Sequence, residues 1–170
     1  MAAQMTTTIP KRAAPHDRLQ VFIGKWHAEG TSYAAGQTKQ NPRGAKEKWL
    51  SDETFEWLPG QFFVIQRWDA KTGVSAFQGT AIIGWDDTNR HYMTRSYENH
   101  GFVRDYLTRV DSEIWTFSGA NERARVEFTD SGNTQKITWE WRKPGEDWLP
   151  LCDRVARRVE VRASHAEGDP

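Results

Sequence analysis

Five side chains in the central and C-terminal parts of the chain could do chemistry if the fold turned them toward one space: His91, Arg95, Arg104, Tyr106 and Glu140. Arginine and tyrosine can hold a carboxylate or phosphate through charge-assisted hydrogen bonds, and His91, Tyr106 or Glu140 could exchange a proton. Their spacing matches no catalytic constellation: G-x-S-x-G, H-E-x-x-H, a phosphate loop and CxxC are all missing from the sequence. The histidines stand at 16, 27, 91, 100 and 165, in separate segments, so no metal site and no cofactor are expected from them. These residue types point to recognition inside a pocket more than to reaction.

The material for a pocket is plentiful, since the chain carries nine tryptophans and eight phenylalanines, rings that supply large contact area to a core or cavity wall. In an extended strand residues two apart share a face. Ile137, Trp139 and Trp141 therefore point inward together, against Lys136, Thr138 and Glu140. For segment 91–97 alternation leaves two assignments. Either His91, Met93, Arg95 and Tyr97 face the pocket, as a soft apolar group, an aromatic and two polar contacts, or they form a solvated outer face. Phe62, Val64, Gln66 and Trp68 share one face of their segment; Arg104, Tyr106 and Thr108 share another. The expected ligand-contacting set is His91, Met93, Arg95, Tyr106, Trp139 and Trp141. A buried Arg95 would need a carboxylate or an anionic ligand, which favours an apolar, acidic molecule.

Positioning these residues falls to an all-β framework. HDRLQVFIG (16–24) spaces Leu19, Phe22 and Ile23 as one short helix, with Asp17 as cap and Gly24 as stop. From Lys25 onward the period becomes alternating, and the pattern predicts ten strands: 25–33, 47–57, 62–68, 75–85, 91–97, 102–110, 113–118, 123–128, 135–142 and 148–159. Turn signals such as LPGQ, DAKTG, DDTN, ENHG and KPGED make neighbouring strands hairpin partners. So many meandering strands expose edges unless they close into a barrel; a β-sandwich is the competitor, and only 34–46 is long enough for a crossover.

Lys plus Arg and Asp plus Glu number 23 each, so no net field draws the chain to nucleic acid or an anionic membrane. The single cysteine, Cys152, excludes an internal disulfide and fits a reducing, cytoplasmic setting, and no apolar run reaches the length of a signal core or membrane span. The expected organisation is a disordered segment over 1–15, a barrel domain over 16–162 and a disordered tail over 163–170.

FIGKWHAEG (22–30) places Gly24, Trp26, Glu29 and Gly30 after a short helix and at the start of the first strand, where it resembles the G-x-W signature of calycins. With FEWLPGQFFVIQRWD, GTAIIGWDDTNRHYM and DSGNTQKITWEWRKPGEDWLP in that order, the stretch 19–159 resembles the bacterial, lipocalin-like family known as domain of unknown function 1579, with a distant likeness to nitrobindins and fatty-acid-binding proteins. The resemblance implies an up-and-down calycin-like barrel in which Trp26 closes the base beneath a basic side chain of the last strand: Arg154, Arg157 or Arg158. It implies a small-molecule-binding function. Two alternatives accompany it. One is an enzyme using the cavity for isomerisation, cyclisation or hydrolysis of an apolar substrate. The other is a haem protein of the nitrobindin type, although the segment WLPLCDRVARRVEV offers no proximal histidine, which leaves His27 or His91. Expected partners are a small apolar or amphipathic ligand and a second copy in a homodimer, with neither nucleic acid nor membrane.

Overall fold

The computed structural model describes residues 9–160; residues 1–8 and 161–170, which include the expected tail, lie outside the described residues. A single helical turn α1 (Ala14–Asp17) runs into a 3-10 turn (Arg18–Phe22), and ten strands follow: β1 (Gly24–Ser32), β2 (Glu47–Trp57), β3 (Phe63–Thr72), β4 (Ser75–Asp86), β5 (His91–Glu98), β6 (Val103–Asp111), β7 (Ile114–Ser118), β8 (Glu122–Thr129), β9 (Thr134–Trp141) and β10 (Leu149–Arg158). Every strand pairs antiparallel with its sequence neighbour, and β1 pairs with both β2 and β10, so the sheet is a closed up-and-down barrel. Closure leaves no exposed edge. The long 33–46 connection joins adjacent strands and is not a crossover, which removes the sandwich alternative.

The helical segment starts earlier and is tighter than its sequence spacing predicts. Pro15 sits in the first turn of α1, where a missing N–H is harmless. Asp17 makes no cap; its carboxylate meets Arg12 at 3.0 Å. The 3-10 turn drives Leu19 and Phe22 into the barrel end at 0% and 2% exposure. Phe22 is the plug: its ring meets Phe55, Trp115 and Phe128 at centroid distances of 5.5, 4.9 and 5.1 Å. Burying such a ring contributes about 2–3 kcal/mol.

Trp26 completes the closed end. It is 1% exposed, donates from Nε1 to the Phe22 carbonyl at 2.8 Å, and lies 4.2 Å beneath the Arg158 guanidinium. Of the three arginines proposed for this role, Arg158 fills it. Its guanidinium also donates to the carbonyls of Val21, Ile23 and Gly132, tying the helical segment to the last strand. Gly24 is required here, since its φ of 132° disfavours a side chain and a Cβ would stand 2.8 Å from Arg158 Nη1. Arg157, one residue away in β10, is exposed on the outer face, and Arg154 lies inside the barrel.

One strand, β3, extends four residues beyond its predicted bound. Asp69–Thr72, which read as part of a turn, continues the β3 ladder to Thr72↔Ser75, so that Gly73 and Val74 alone make the bend. Ala70, 1% exposed, packs inward there, and pairing on both sides overrides the polar composition of DAKTG.

Candidate ligand cavity

Above the Phe22 plug the barrel encloses a cavity of about 370 Å³, open toward the end formed by the β1–β2 loop, the β3–β4 turn and the β5–β6 turn. Its lower wall is apolar: Phe22, Phe55, Ile83, Phe117, Val126 and Ile137. Trp49, Trp68, Phe77 and Trp139 line its upper half. Such a chamber suits a small organic molecule with an apolar body.

Three polar clusters are built into this wall. In the first, Glu53 of β2, 4% exposed, accepts from Arg154 Nη1 at 3.2 Å, from Ser51 Oγ at 3.1 Å and from Gln66 Nε2 at 2.9 Å. Arg154 covers the Trp49 ring at 4.6 Å, and Trp49 Nε1 donates to Ser51 Oγ at 3.1 Å. A buried charge pair is sustained only when its remaining hydrogen-bonding capacity is also met, which is what Ser51 and Gln66 do for Glu53. In the second, Glu122 of β8 receives Arg104 Nε at 2.9 Å and the Tyr106 hydroxyl at 2.9 Å. Burial, reinforced by the neighbouring Glu122 carboxylate, raises the Tyr106 pKa well above the usual phenol range. The Tyr106 hydroxyl therefore keeps its proton and donates it in a hydrogen bond to the Glu122 carboxylate. In the third, Glu98 at the end of β5 accepts from His100 Nδ1 at 3.0 Å, and His100 stacks on Phe77.

Four buried side-chain atoms of this wall have no hydrogen-bond partner within the protein: the donors Trp68 Nε1, Gln135 Nε2 and Arg154 Nε, and the acceptor Glu98 Oε1. Native interiors satisfy nearly all such groups, which sets these four atoms apart from the rest of the wall.

The structure brings together part of the predicted contact set. Tyr106 and Trp139 line the cavity and meet edge to face at 5.6 Å. Trp141 stands at the rim, where its Nε1 donates to Gln37 of the β1–β2 loop at 2.7 Å. His91, Met93 and Arg95 face outward: Met93 is 41% exposed, Arg95 pairs with Asp105 at 3.5 Å on the outer surface, and His91 lies beside the Asn89 carbonyl in the β4–β5 turn. The inward set of β5 is Tyr92, Thr94, Ser96 and Glu98. Register supplies the reason. Directly opposed residues of an antiparallel pair share a face, and Thr94 pairs with Tyr106 while Arg95 pairs with Asp105, so an inward Tyr106 places Arg95 outside. Glu140 also lies outside the cavity, paired with Arg123. Neither histidine considered for haem enters the cavity, since His27 binds Asp52 on the outer surface at 2.7 Å; the histidine that lines it is His100.

Glu53, Arg154, Glu98 and Trp68 were not among the predicted contacts. For Glu53 a signal existed: Trp49, Ser51, Glu53, Phe55 and Trp57 alternate along β2, and the aromatics fix their face as inward.

The sequence matches the family model described as "Protein of unknown function (DUF1579)" over residues 11–146. The chain belongs to the DUF1579 family. No functionally curated protein matches this DUF1579 chain. Among solved structures it is similar to Rv2717c from M. tuberculosis, at 11% identity and a TM-score of 0.63, covering 88% of this chain and 100% of that one. It is also similar to the S-type phycobiliprotein lyase CPES from Guillardia theta, at 11% identity and a TM-score of 0.57, covering 89% of this chain and 96% of that one. At these identities the likeness is one of fold, a closed antiparallel barrel. No helix of the described residues is long and apolar enough to cross a membrane.

Proposed function

We propose that this DUF1579 barrel binds one small molecule, an apolar body with a few polar groups, inside its cavity. The observation that carries the reading is the unpartnered set of polar atoms, Trp68 Nε1, Glu98 Oε1, Gln135 Nε2 and Arg154 Nε, around a largely apolar chamber of about 370 Å³. A packed core would leave neither the space nor the unmet hydrogen bonds. The fold shared with other lipocalin-like barrels supports the same use. The preference for an acid inferred from Arg95 does not carry over, because Arg95 is outside and both arginines that line the cavity already hold carboxylates.

Calorimetric titration of the full chain with naphthylmethanol, a neutral aromatic probe, tests the reading. Saturable one-to-one binding is expected in the wild type, with loss of at least tenfold in Ala81→Phe or Ser96→Phe, whose added rings project from the inward faces of β4 and β5 into the chamber. Retained affinity in both variants, with each shown by circular dichroism to be folded, would place the probe elsewhere and end the proposal.

A further inference from the structure

We infer that Glu98 is the anchor for a protonated amine, so that the ligand class is an aromatic or otherwise apolar amine. The inference rests on the cavity-binding reading and goes further by naming the charge of the occupant.

The carboxylates and guanidiniums in the wall do not balance pairwise; the other basic group of the lining is His100, whose Nδ1 meets Glu98 at 3.0 Å. Glu53, Glu98 and Glu122 face the cavity against Arg104 and Arg154. Glu53 takes Arg154 and Glu122 takes Arg104, which leaves Glu98 without a guanidinium. Its side chain is only 2% exposed, one oxygen accepts from His100 Nδ1, and the other, Oε1, has no partner. A carboxylate oxygen can only accept, so whatever satisfies Oε1 must bring an N–H or O–H. Placed in this low-dielectric wall, an ammonium group satisfies the hydrogen bond and supplies the counter-charge together, whereas a ligand carboxylate would be repelled by Glu98 and would have to compete for arginines already paired.

The surroundings of Glu98 are shaped for such a group. Glu98 opposes Gly79 in β4, and Gly79 opposes Trp68 in β3, so the three lie in one row across the sheet. Gly79 has no side chain, and the Trp68 ring occupies that space: a Cβ on Gly79 would stand 2.1 Å from Trp68 Cζ2. The indole thus lies over the strand between it and Glu98. Phe77 packs 5.9 Å from the Trp68 ring and 6.1 Å from Trp49. Aromatic faces beside a carboxylate attract a cation through their quadrupoles, and the same rings accept the ligand's apolar body. Trp68 Nε1, itself without a partner, is a donor for an acceptor atom elsewhere on the ligand.

Three probes that differ in one group test the inference: naphthylmethylamine, naphthylmethanol and naphthoic acid, titrated calorimetrically into the full chain at neutral pH. The expected order is amine tightest, at least tenfold tighter than the acid and tighter than the alcohol. Glu98→Gln, which keeps the shape but removes the charge, is expected to weaken the amine at least tenfold and to abolish its preference over the alcohol. An acid that binds as tightly as the amine, or an amine affinity unmoved by Glu98→Gln, overturns the anchor while alcohol binding keeps the cavity reading intact. Failure of all three probes overturns both. The comparison of probes on the wild type needs no variant to fold.

Discussion

Trp26→Ala probes the closed end of the barrel, on which both the fold and the floor of the cavity depend. Trp26 is 1% exposed, packs against the edge of Phe128 at a centroid distance of 6.1 Å, and lies 4.2 Å beneath Arg158. Deleting a buried aromatic of this kind costs about 3–5 kcal/mol, cavity included. The Phe22 carbonyl loses its 2.8 Å hydrogen bond from the indole, a further loss of about 1 kcal/mol. Arg158 keeps its bonds to the carbonyls of Val21 and Gly132 and remains in place, so the effects largely add. The sum is about 4–6 kcal/mol, a large share of the roughly 5–15 kcal/mol typical of a folded domain. At roughly 2–4 °C per kcal/mol for a chain of this size, the melting temperature should fall by about 8–24 °C. Trp26→Phe keeps an aromatic face under Arg158 and should lose about 1–2 kcal/mol. Far-UV circular dichroism in urea is the assay, since with so many tryptophans fluorescence would mix signals. A loss below about 1 kcal/mol in Trp26→Ala, or equal losses in the two variants, would refute the account of the barrel base.

Further expectations follow from the same structure. Gly24→Ala places a side chain at a φ of 132° and against Arg158, and should destabilise by about 1–3 kcal/mol in urea titration. Glu53→Ala strands Arg154, whose side chain is only 11% exposed, and should cost about 3–5 kcal/mol; the double variant Glu53→Ala, Arg154→Met should recover part of that loss. Alkaline pH should weaken the fold, because burial raises the Cys152 thiol and, with Glu122, the Tyr106 phenol. In both cases the folded state keeps a proton the unfolded chain would release. Stability is therefore fully present below the unfolded values, about 8.5 for Cys and about 10 for Tyr, and declines as pH rises past them. Urea midpoints from pH 7 to 10.5 should fall only in that upper range, and Cys152→Ala should flatten the first part of the decline. A midpoint that rises with alkali would contradict the burial of both groups.

Much of this architecture was legible in the residues. Period-two patterning over KWLSDETFEW and QKITWEW, together with turn chemistry at LPGQ and DDTN, specifies strands and hairpins locally, without reference to distant residues. A long meander has one economical way to remove its edges, so closure followed, and the resemblance of the G-x-W stretch to calycins implied which end was sealed. The sequence could not choose among Arg154, Arg157 and Arg158, because only the pairing Trp26↔Arg158 decides which guanidinium crosses the indole. Nor could it choose the inner face of β5. There the neighbouring strand reads Ile82, Ile83 and offers no polar alternation, and both faces of β5 hold a mixture of polar and apolar groups. Interstrand register settled it, a non-local quantity that moves every side chain of a strand to the opposite face when shifted by one residue. The polar wall of the cavity was hidden for the same reason. Glu53 and Arg154 are far apart in sequence, as are Trp68 and Glu98, and each pair acquires its meaning only when barrel closure or strand order sets its members side by side.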